Sequence, residues 1–467
     1  MTKSDLDRAD PDGFRVAVIG SGPSGFYTTE ALVRSGTPLA VDMFEQLPVP
    51  YGLVRFGVAP DHPKLKLVTT AFDRIAKAPG FRFIGGVAVG RDVSIDELRD
   101  SYDAVVLATG ADISRSLGIP GEGLLGSHHA GDFVAWYNGH PNYRGCHFDL
   151  GCGAATVIGH GNVALDVARI LAKTADELRR TDIAAHALEA LAESRIREIR
   201  VVGRGRPPQA RFSAKELRDF LDLETCDTTI DSRDVVPDDF TPDNPQDPEL
   251  TEKLTLLRTF SQQALTKPRR CTFRFGLSPV AIRGQGRVET IDFAQTSSAV
   301  ENIDCGLVFR SVGRRTAPLD GVPYDDVRGV HANIDGRVAI GSSVVAGLYV
   351  CGWSKRGPSG TIGTNRGCGM ATAEAILADL PARAGQRTGD PGALLARLNA
   401  RVTRVVSFGD WAIIDAAEKR RGALCGKPRE KFVSIPDMLA AADAGSLGDR
   451  NLIAVGEREA GDVGSVC

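Results

Sequence analysis

The chain has 467 residues, 56 Lys plus Arg against 59 Asp plus Glu, and a formal charge of -3, enough length for about three domains' worth of chain and a charge balance that excludes a protein coated in basic charge to bind nucleic acid. With 42% apolar and 25% charged residues, wholesale disorder is excluded as well. Its 52 glycines exceed the usual share of about 7%, and backbone that approaches phosphate closely favours a residue without a Cβ.

In chain order, residues 1–13 form a polar, acidic tail with no apolar core, unlike a secretory leader or an acid-poor transit peptide. No apolar run reaches the ~20 residues that span a bilayer. A soluble, cytoplasmic protein is expected. FRVAVIG (14–20) reads as a buried strand, GSGPSG (20–25) as a glycine turn opening a helix, and LAVDMFE (39–45) as the next strand. Together they make a βαβ unit. The loop 50–63 is too rich in Pro and Gly for either element, a helix is expected around 64–77, and DAVVLATG (103–110) is another buried strand ending in a glycine turn.

The pattern then repeats, with ATVIG (155–159) as strand, GHGNVALDVARILA (159–172) as turn and helix, a polar helical insert near 174–194, and EIRVVG (198–203) as strand. Residues 226–262 are rich in Asp and Pro and are expected to be an exposed loop, and 271–293 to be antiparallel strands. GLVFRSVG (306–313) echoes the earlier strand and turn, and GLYVCG (347–352) is a last buried strand. A helix is expected from Gly360 to about Leu380, with further helices near 391–420 and 436–443.

A bare G-x-G-x-x-G is a weak signal, but Gly20, Gly22 and Gly25 follow a strand, open a helix and precede Glu45 at the end of the next strand. That is the context of a dinucleotide fold: the glycines admit the pyrophosphate at the helix N-terminus and the acid takes ribose hydroxyls. Gly159, Gly161 and Ala164 repeat the arrangement, but the residue after that unit's second strand is Arg204. An acid suits a free 2′-hydroxyl and arginine a 2′-phosphate, so the first site reads as FAD or NAD and the second as NADP. Two such sites imply hydride from a nicotinamide and storage on a second redox cofactor, a flavin.

The nine cysteines contain no C-x-x-C, against a disulfide framework or an iron–sulfur cluster, and each is expected as a small buried hydrophobe. Without that motif no redox disulfide stands beside the flavin, so electrons leave from the flavin itself. No metal is expected, since the histidines lack ligand spacing. Lys267, Arg269 and Arg270, with Arg274 nearby, form a basic run that reads as a solvated face or as a dock for an acidic electron carrier.

Four longer strings, PYGLVRFGVAPDHPKLK (50–66), GHGNVALDVARIL (159–171), VVGRGRPPQARFSAKELRD (201–219) and YVCGWSKRGPSGTIGTN (349–365), resemble those of adrenodoxin-reductase-type NADPH–ferredoxin reductases. The similarity runs in order from about 14 to about 440. It implies an α/β fold of two Rossmann-like dinucleotide-binding domains, the NADP domain inserted into the FAD domain. The parts would be a tail over 1–13, FAD-binding residues 14–115, NADP-binding residues 116–324, and a second FAD-binding part over 325–467 with a helical tail. It places Glu45, Leu53 and Val87 around FAD, and Trp353, Gly360, Thr361 and Ile362 beside the flavin, where a helix opening at Gly360 would aim N–H groups at its developing negative charge. Arg115, Asn162, Val163, Arg204, Arg206 and Glu216 join the glycines as cofactor-binding residues.

His62 and Asp219 are implied beside the nicotinamide and flavin, in a positioning and proton-relay role. Glutamate is usual at the Asp219 position, so the shorter side chain leads us to expect a bridging water rather than direct contact. Gly205 stands where a second adjacent arginine is usual, with Arg206 one place later, and His160 replaces an amide and would add charge below about pH 6.5. The expected activity is transfer of hydride from NADPH to FAD and of single electrons to a small acidic ferredoxin. The alternatives at this point are a flavin diaphorase with a quinone or dye acceptor, and a non-catalytic NADP-binding subunit.

Overall fold

The computed structural model describes residues 13–235, 247–295 and 299–445. Most of the expected tail and the Asp/Pro-rich stretch DDFTPDNPQ lie outside them. Two sheets organise the chain. The first runs in the order Asn333–Ile334, Arg337–Ile340, Ser343–Val350, Ala104–Leu107, Phe14–Ile19, Leu39–Glu45, Phe81–Gly85. Its five strands from Ser343–Val350 onward pair in parallel. Such a sheet is covered on both faces, which is why VAVI and AVVL are unbroken apolar runs. Val16, Val18, Val41 and Met43 pack on one face, and Ala17, Ile19, Val105 and Leu107 on the other.

The second sheet, in the order Ser127–His129, Leu307–Arg310, Ala154–Ile158, Glu198–Val202, Arg269–Arg274, Cys226–Ile230, is parallel throughout. In each sheet the strand carrying the glycine turn has its next strand on one side and a later strand on the other. That reversal of order opens a crevice at the strands' C-terminal ends, where ligands of doubly wound folds sit.

Three expectations are corrected here. The described parts of 226–262 are not an exposed loop: Cys226–Ile230 is an edge strand, and Pro248–Gln262 is a 15-residue helix capped by Asp247. That helix buries Leu254, Leu257 and Phe260. Arg269–Arg274 is parallel, and the antiparallel sheet consists of Leu277–Arg283, Thr290–Gln295 and Val300–Asp304. The expected single helix over 64–77 is two short ones, Pro63–Lys66 and Thr69–Ile75, and the last described helix covers 435–445.

Candidate active site

The helix Pro23–Val33 starts at Gly22 with Pro at its first position, and no side chain caps it. Its first N–H groups are therefore left for a ligand. A Cβ on Gly25 would lie 2.1 Å from the Gly20 carbonyl oxygen, whereas one on Gly22 would meet nothing within 4 Å. Gly25 serves helix packing; Gly22 borders open space. Glu45 stands over this turn, its carboxylate accepting from Ser21 N–H at 3.2 Å and Ser21 Oγ at 2.6 Å. Burial raises its ionisation above the ordinary carboxylate range in spite of those donors.

Two matched turns converge on the same loop. Gly52, at φ 48°, starts the four-residue helix Leu53–Phe56, and Gly352, at φ 65°, starts Trp353–Arg356. In each, the closing glycine's N–H bonds the first residue's carbonyl at 2.8 Å. Left-handed backbone at the first position requires glycine, and in both cases it brings that residue close to the loop. A Cβ on Gly52 would meet Gly22 Cα at 3.2 Å, and one on Gly352 would overlap Ser24 Oγ. Leu53 is left 37% exposed and Trp353 half-buried, the latter held by a bond from its indole N–H to Ser359 O at 3.1 Å. An apolar and an aromatic side chain at the mouth of an uncapped glycine loop fit a planar dinucleotide cofactor. Val87 is buried and its N–H bonds Glu45 O. Gly360 and Thr361 are exposed and Ile362 half-buried. The helix expected from Gly360 begins instead at Thr364, because Thr364 Oγ1 accepts the Thr361 N–H at 2.8 Å and turns the chain first.

The second loop repeats the first. A Cβ on Gly159 would meet Ser311 O at 2.2 Å, and one on Gly161 would meet nothing. Helix Asn162–Ala172 starts there uncapped, with Val163 exposed in its first turn and Ala164 buried. Asn162 Oδ1 accepts the Ser213 N–H at 2.9 Å, tying the loop to helix Ala214–Arg218. Arg204 and Arg206 are exposed beyond strand Glu198–Val202, with Arg206 N–H fixed by Gln209 at 2.9 Å. His160 is corrected: it packs on Phe275 with ring centres 4.4 Å apart, and burial pulls its ionisation down to about 4. It is neutral at physiological pH and adds no charge for a phosphate. Arg115 donates to the carbonyls of Arg314 and Arg328 at 3.3 and 3.0 Å.

Between the two loops lies an ion network. His62 Nε2 is 3.0 Å from Asp219 Oδ2, so the expected bridging water is replaced by direct contact. The shorter acid reaches because it ends helix Ala214–Arg218 directly opposite the loop. Glu216 is buried in this network, 3.6 Å from His62 and 3.5 Å from Arg169. Arg169 is fully buried and holds Asp61 bidentately at 2.7 and 3.0 Å and Asp166 at 2.7 Å. Lys173 reaches Asp61 at 3.0 Å. Burial alone would raise Asp61, but Arg169 and Lys173 hold it well below the usual carboxylate range. Burial likewise pulls His62 down, but the Asp219 hydrogen bond and the Glu216 and Asp61 charges outweigh burial and Arg169, so the net shift is upward. Asp166 and Arg169 were not singled out from the sequence, although acid and arginine three apart within an apolar helix stretch are the available signal. The ligand atoms of His62, Glu216 and Asp219 lie within 4.8 Å of one another, close enough for a divalent cation. Arg169 supplies positive charge beside them.

The basic run is also corrected. Arg269 donates to the carbonyls of Leu171, Ala172 and Lys173, closing the C-terminal end of helix Asn162–Ala172. Arg274 is buried and bidentate to Glu301 at 2.8 and 2.9 Å. Only Lys267 and Arg270 of the four are exposed.

Two doubly wound sheets, each ending in an uncapped glycine loop and joined by a histidine–carboxylate network, define a two-nucleotide oxidoreductase. Residues 14–202 match the family model described as Pyridine nucleotide-disulphide oxidoreductase. Over 463 residues the chain is 40% identical to the mitochondrial NADPH:adrenodoxin oxidoreductase of Salvelinus fontinalis, covering 92% of this chain and 91% of that protein. It is 41% identical over 455 residues to NADPH-ferredoxin reductase FprA of Mycobacterium tuberculosis, covering 91% and 98%. A solved structure of M. tuberculosis FprA in complex with NADPH superposes with a TM-score of 0.86 at 39% identity, over 92% of this chain and 99% of that one. The chain belongs to the NADPH:adrenodoxin oxidoreductase and FprA family, and it is an FAD- and NADP-dependent oxidoreductase. No described helix is long and apolar enough to cross a membrane.

Proposed function

We propose that this chain is a cytoplasmic ferredoxin–NADP(+) reductase that takes hydride from NADPH onto FAD and passes single electrons to a small acidic ferredoxin. The observation that carries the reading is the His62–Asp219 contact. His62 belongs to the segment that presents Leu53 to the first glycine loop, and Asp219 to the segment that follows Arg204 at the second. In this reading residues 14–115 and 325–467 hold FAD and residues 116–324 hold NADP. When bound, the two cofactors supply the hydride transfer and its division into single electrons.

The chain's own residues do the rest. Gly20, Gly22 and Gly25, with the helix N-terminus behind them, take one pyrophosphate, and Gly159, Gly161 and Ala164 take the other. Glu45 holds ribose hydroxyls. Arg204 and Arg206 meet the 2′-phosphate. Leu53 and Trp353 shield the flavin from water. His62 keeps a proton at Nε2, fixed toward Asp219, while Arg169 neutralises Asp61, Asp166 and Glu216 around it. Lys267 and Arg270 are the exposed cations left to steer an acidic partner.

The purified protein should be yellow and bleach on anaerobic addition of NADPH. Stopped-flow mixing with a panel of ferredoxins from the same genome should give fast oxidation that slows at high salt. Equal rates with dyes and every ferredoxin, independent of salt, would overturn the acceptor assignment.

A further inference from the structure

Strand Ser343–Val350 runs into Cys351, and helix Thr364–Arg383 carries Cys368. Cys351 is completely buried and Cys368 half-buried. The two thiols are neighbours that interact electrostatically, because the Cys368 sulfur sits at the backbone N–H of Gly352, the residue after Cys351. The Gly352 N–H donates to the same sulfur at 3.2 Å. Lys355 and Arg356, on the short helix that follows, add positive charge. From the other side, Thr28 Oγ1 lies 3.2 Å from the Cys351 sulfur and Ser24 O lies 3.9 Å from it.

This arrangement separates the two thiols. Donors and positive charge bring Cys368 down to about 5, against its own burial. The neighbouring Cys368 and burial push Cys351 well up. Cys146, Cys152, Cys226, Cys271 and Cys305 are all pushed up by burial. A partly accessible thiolate next to a protonated thiol is the chemical signature of an oxidisable pair.

We propose that Cys351 and Cys368 form a modification site, a dithiol that hydrogen peroxide converts reversibly to a disulfide. The Cys368 thiolate attacks peroxide. An S–O bond forms, the O–O bond breaks, and the departing hydroxide takes up a proton to leave as water. Cys351 sulfur then attacks the sulfenic sulfur. The S–S bond forms, the S–O bond breaks, and the oxygen leaves as a second water with the Cys351 proton. The two sulfurs together lose two electrons and peroxide gains them. The site is independent of which electron acceptor the enzyme serves.

The test is peptide mapping of the full-length protein with its cofactors bound, before and after peroxide, with free thiols blocked by iodoacetamide. The expected product is a linked peptide pair containing Cys351 and Cys368, two hydrogens lighter and cleaved by dithiothreitol. Cys368 should react about tenfold or more faster than the exposed Cys425, since the thiolate is the reacting form. In Cys351→Ser, dimedone should trap a sulfenic acid on Cys368. Sulfinic acid on wild-type Cys368 without the linked pair, or oxidation of Cys425 ahead of Cys368, would overturn the proposal.

Discussion

At the scale of single residues, nucleotide choice rests on Arg204 and Arg206. Both are exposed past the strand end, while His160, buried and neutral, contributes no charge. A charge-assisted contact contributes roughly 1.5–3 kcal/mol, or about 10- to 100-fold. Arg204→Ala should raise the NADPH KM by about that factor and leave NADH nearly unchanged in steady-state assays. His160→Gln should leave the ratio alone, and Gly205→Arg should sharpen it, since the closest atoms a Cβ there meets belong to the Gln209 side chain, at 3.3 and 3.4 Å. A parallel loss with both nucleotides in Arg204→Ala would sink the assignment. His62 gives a second prediction. Its native ionisation lies above the unfolded value of about 6.5, with Asp219 as the hydrogen-bonded acceptor. The stabilisation is therefore complete below about pH 6.5 and is lost as pH rises through the native value. Asp219→Asn should move the His62 titration, followed by NMR, to lower pH, and Asp219→Glu should restore it. The direct contact escaped the sequence because chain length between Cβ and carboxylate is legible there, whereas the approach of two loops is not.

At the scale of elements, the glycine turns separate binding from folding. Gly22 faces open space at φ -77°, a conformation any residue adopts, whereas a Cβ on Gly25 strikes backbone. Gly22→Val should therefore fold with an unchanged circular dichroism spectrum and emerge without flavin. Gly25→Val should be unstable or insoluble. Full flavin occupancy in folded Gly22→Val would remove the loop from the cofactor site. Both βαβ units, their glycine turns and the last buried strand were legible because an apolar run that meets a glycine turn has few other readings. The helix Pro248–Gln262 was not. Acidic, proline-rich sequence before it masked an Asp247 cap with Pro at the first position, and Leu254, Leu257 and Phe260 needed the neighbouring sheet to show which face is buried. The start of helix Thr364–Arg383 was misplaced for a related reason: a threonine side chain, not a glycine, sets that boundary.

At the scale of the whole molecule, the two sheets are also joined away from the nucleotide loops. Lys66 comes from the segment after His62, Asp182 from the link between the helices Ala175–Leu178 and Ala185–Ala192, and Lys431 from the chain beyond Phe408–Leu424. Lys66 Nζ lies 2.6 Å from Asp182 Oδ1, and Lys431 Nζ 3.0 Å from Oδ2. Asp182 and Lys431 are buried and Lys66 is half-buried. One carboxylate thus serves two ammonium groups from segments more than 200 residues apart in sequence. Burial pulls Lys431 down to about 7 even with Asp182 attached. Removing one partner of a buried pair typically costs about 3–5 kcal/mol, whereas replacing the whole set by apolar groups can be nearly neutral. Asp182→Asn should therefore lower the unfolding midpoint substantially in urea or by calorimetry, and the triple variant Asp182→Leu, Lys66→Met, Lys431→Met should recover most of it. The pH sense follows from the depressed lysine. Between its native value and the unfolded value of about 10.4, the unfolded chain binds more protons, so stability rises with pH. Without the carboxylate the native value falls further, and the native state sheds the Lys431 proton more readily as pH rises. The deficit of Asp182→Asn relative to wild type should consequently be larger at pH 6 than at pH 8. An Asp182→Asn protein that unfolds at the wild-type midpoint at both pH values would show that this junction does not hold the two sheets together.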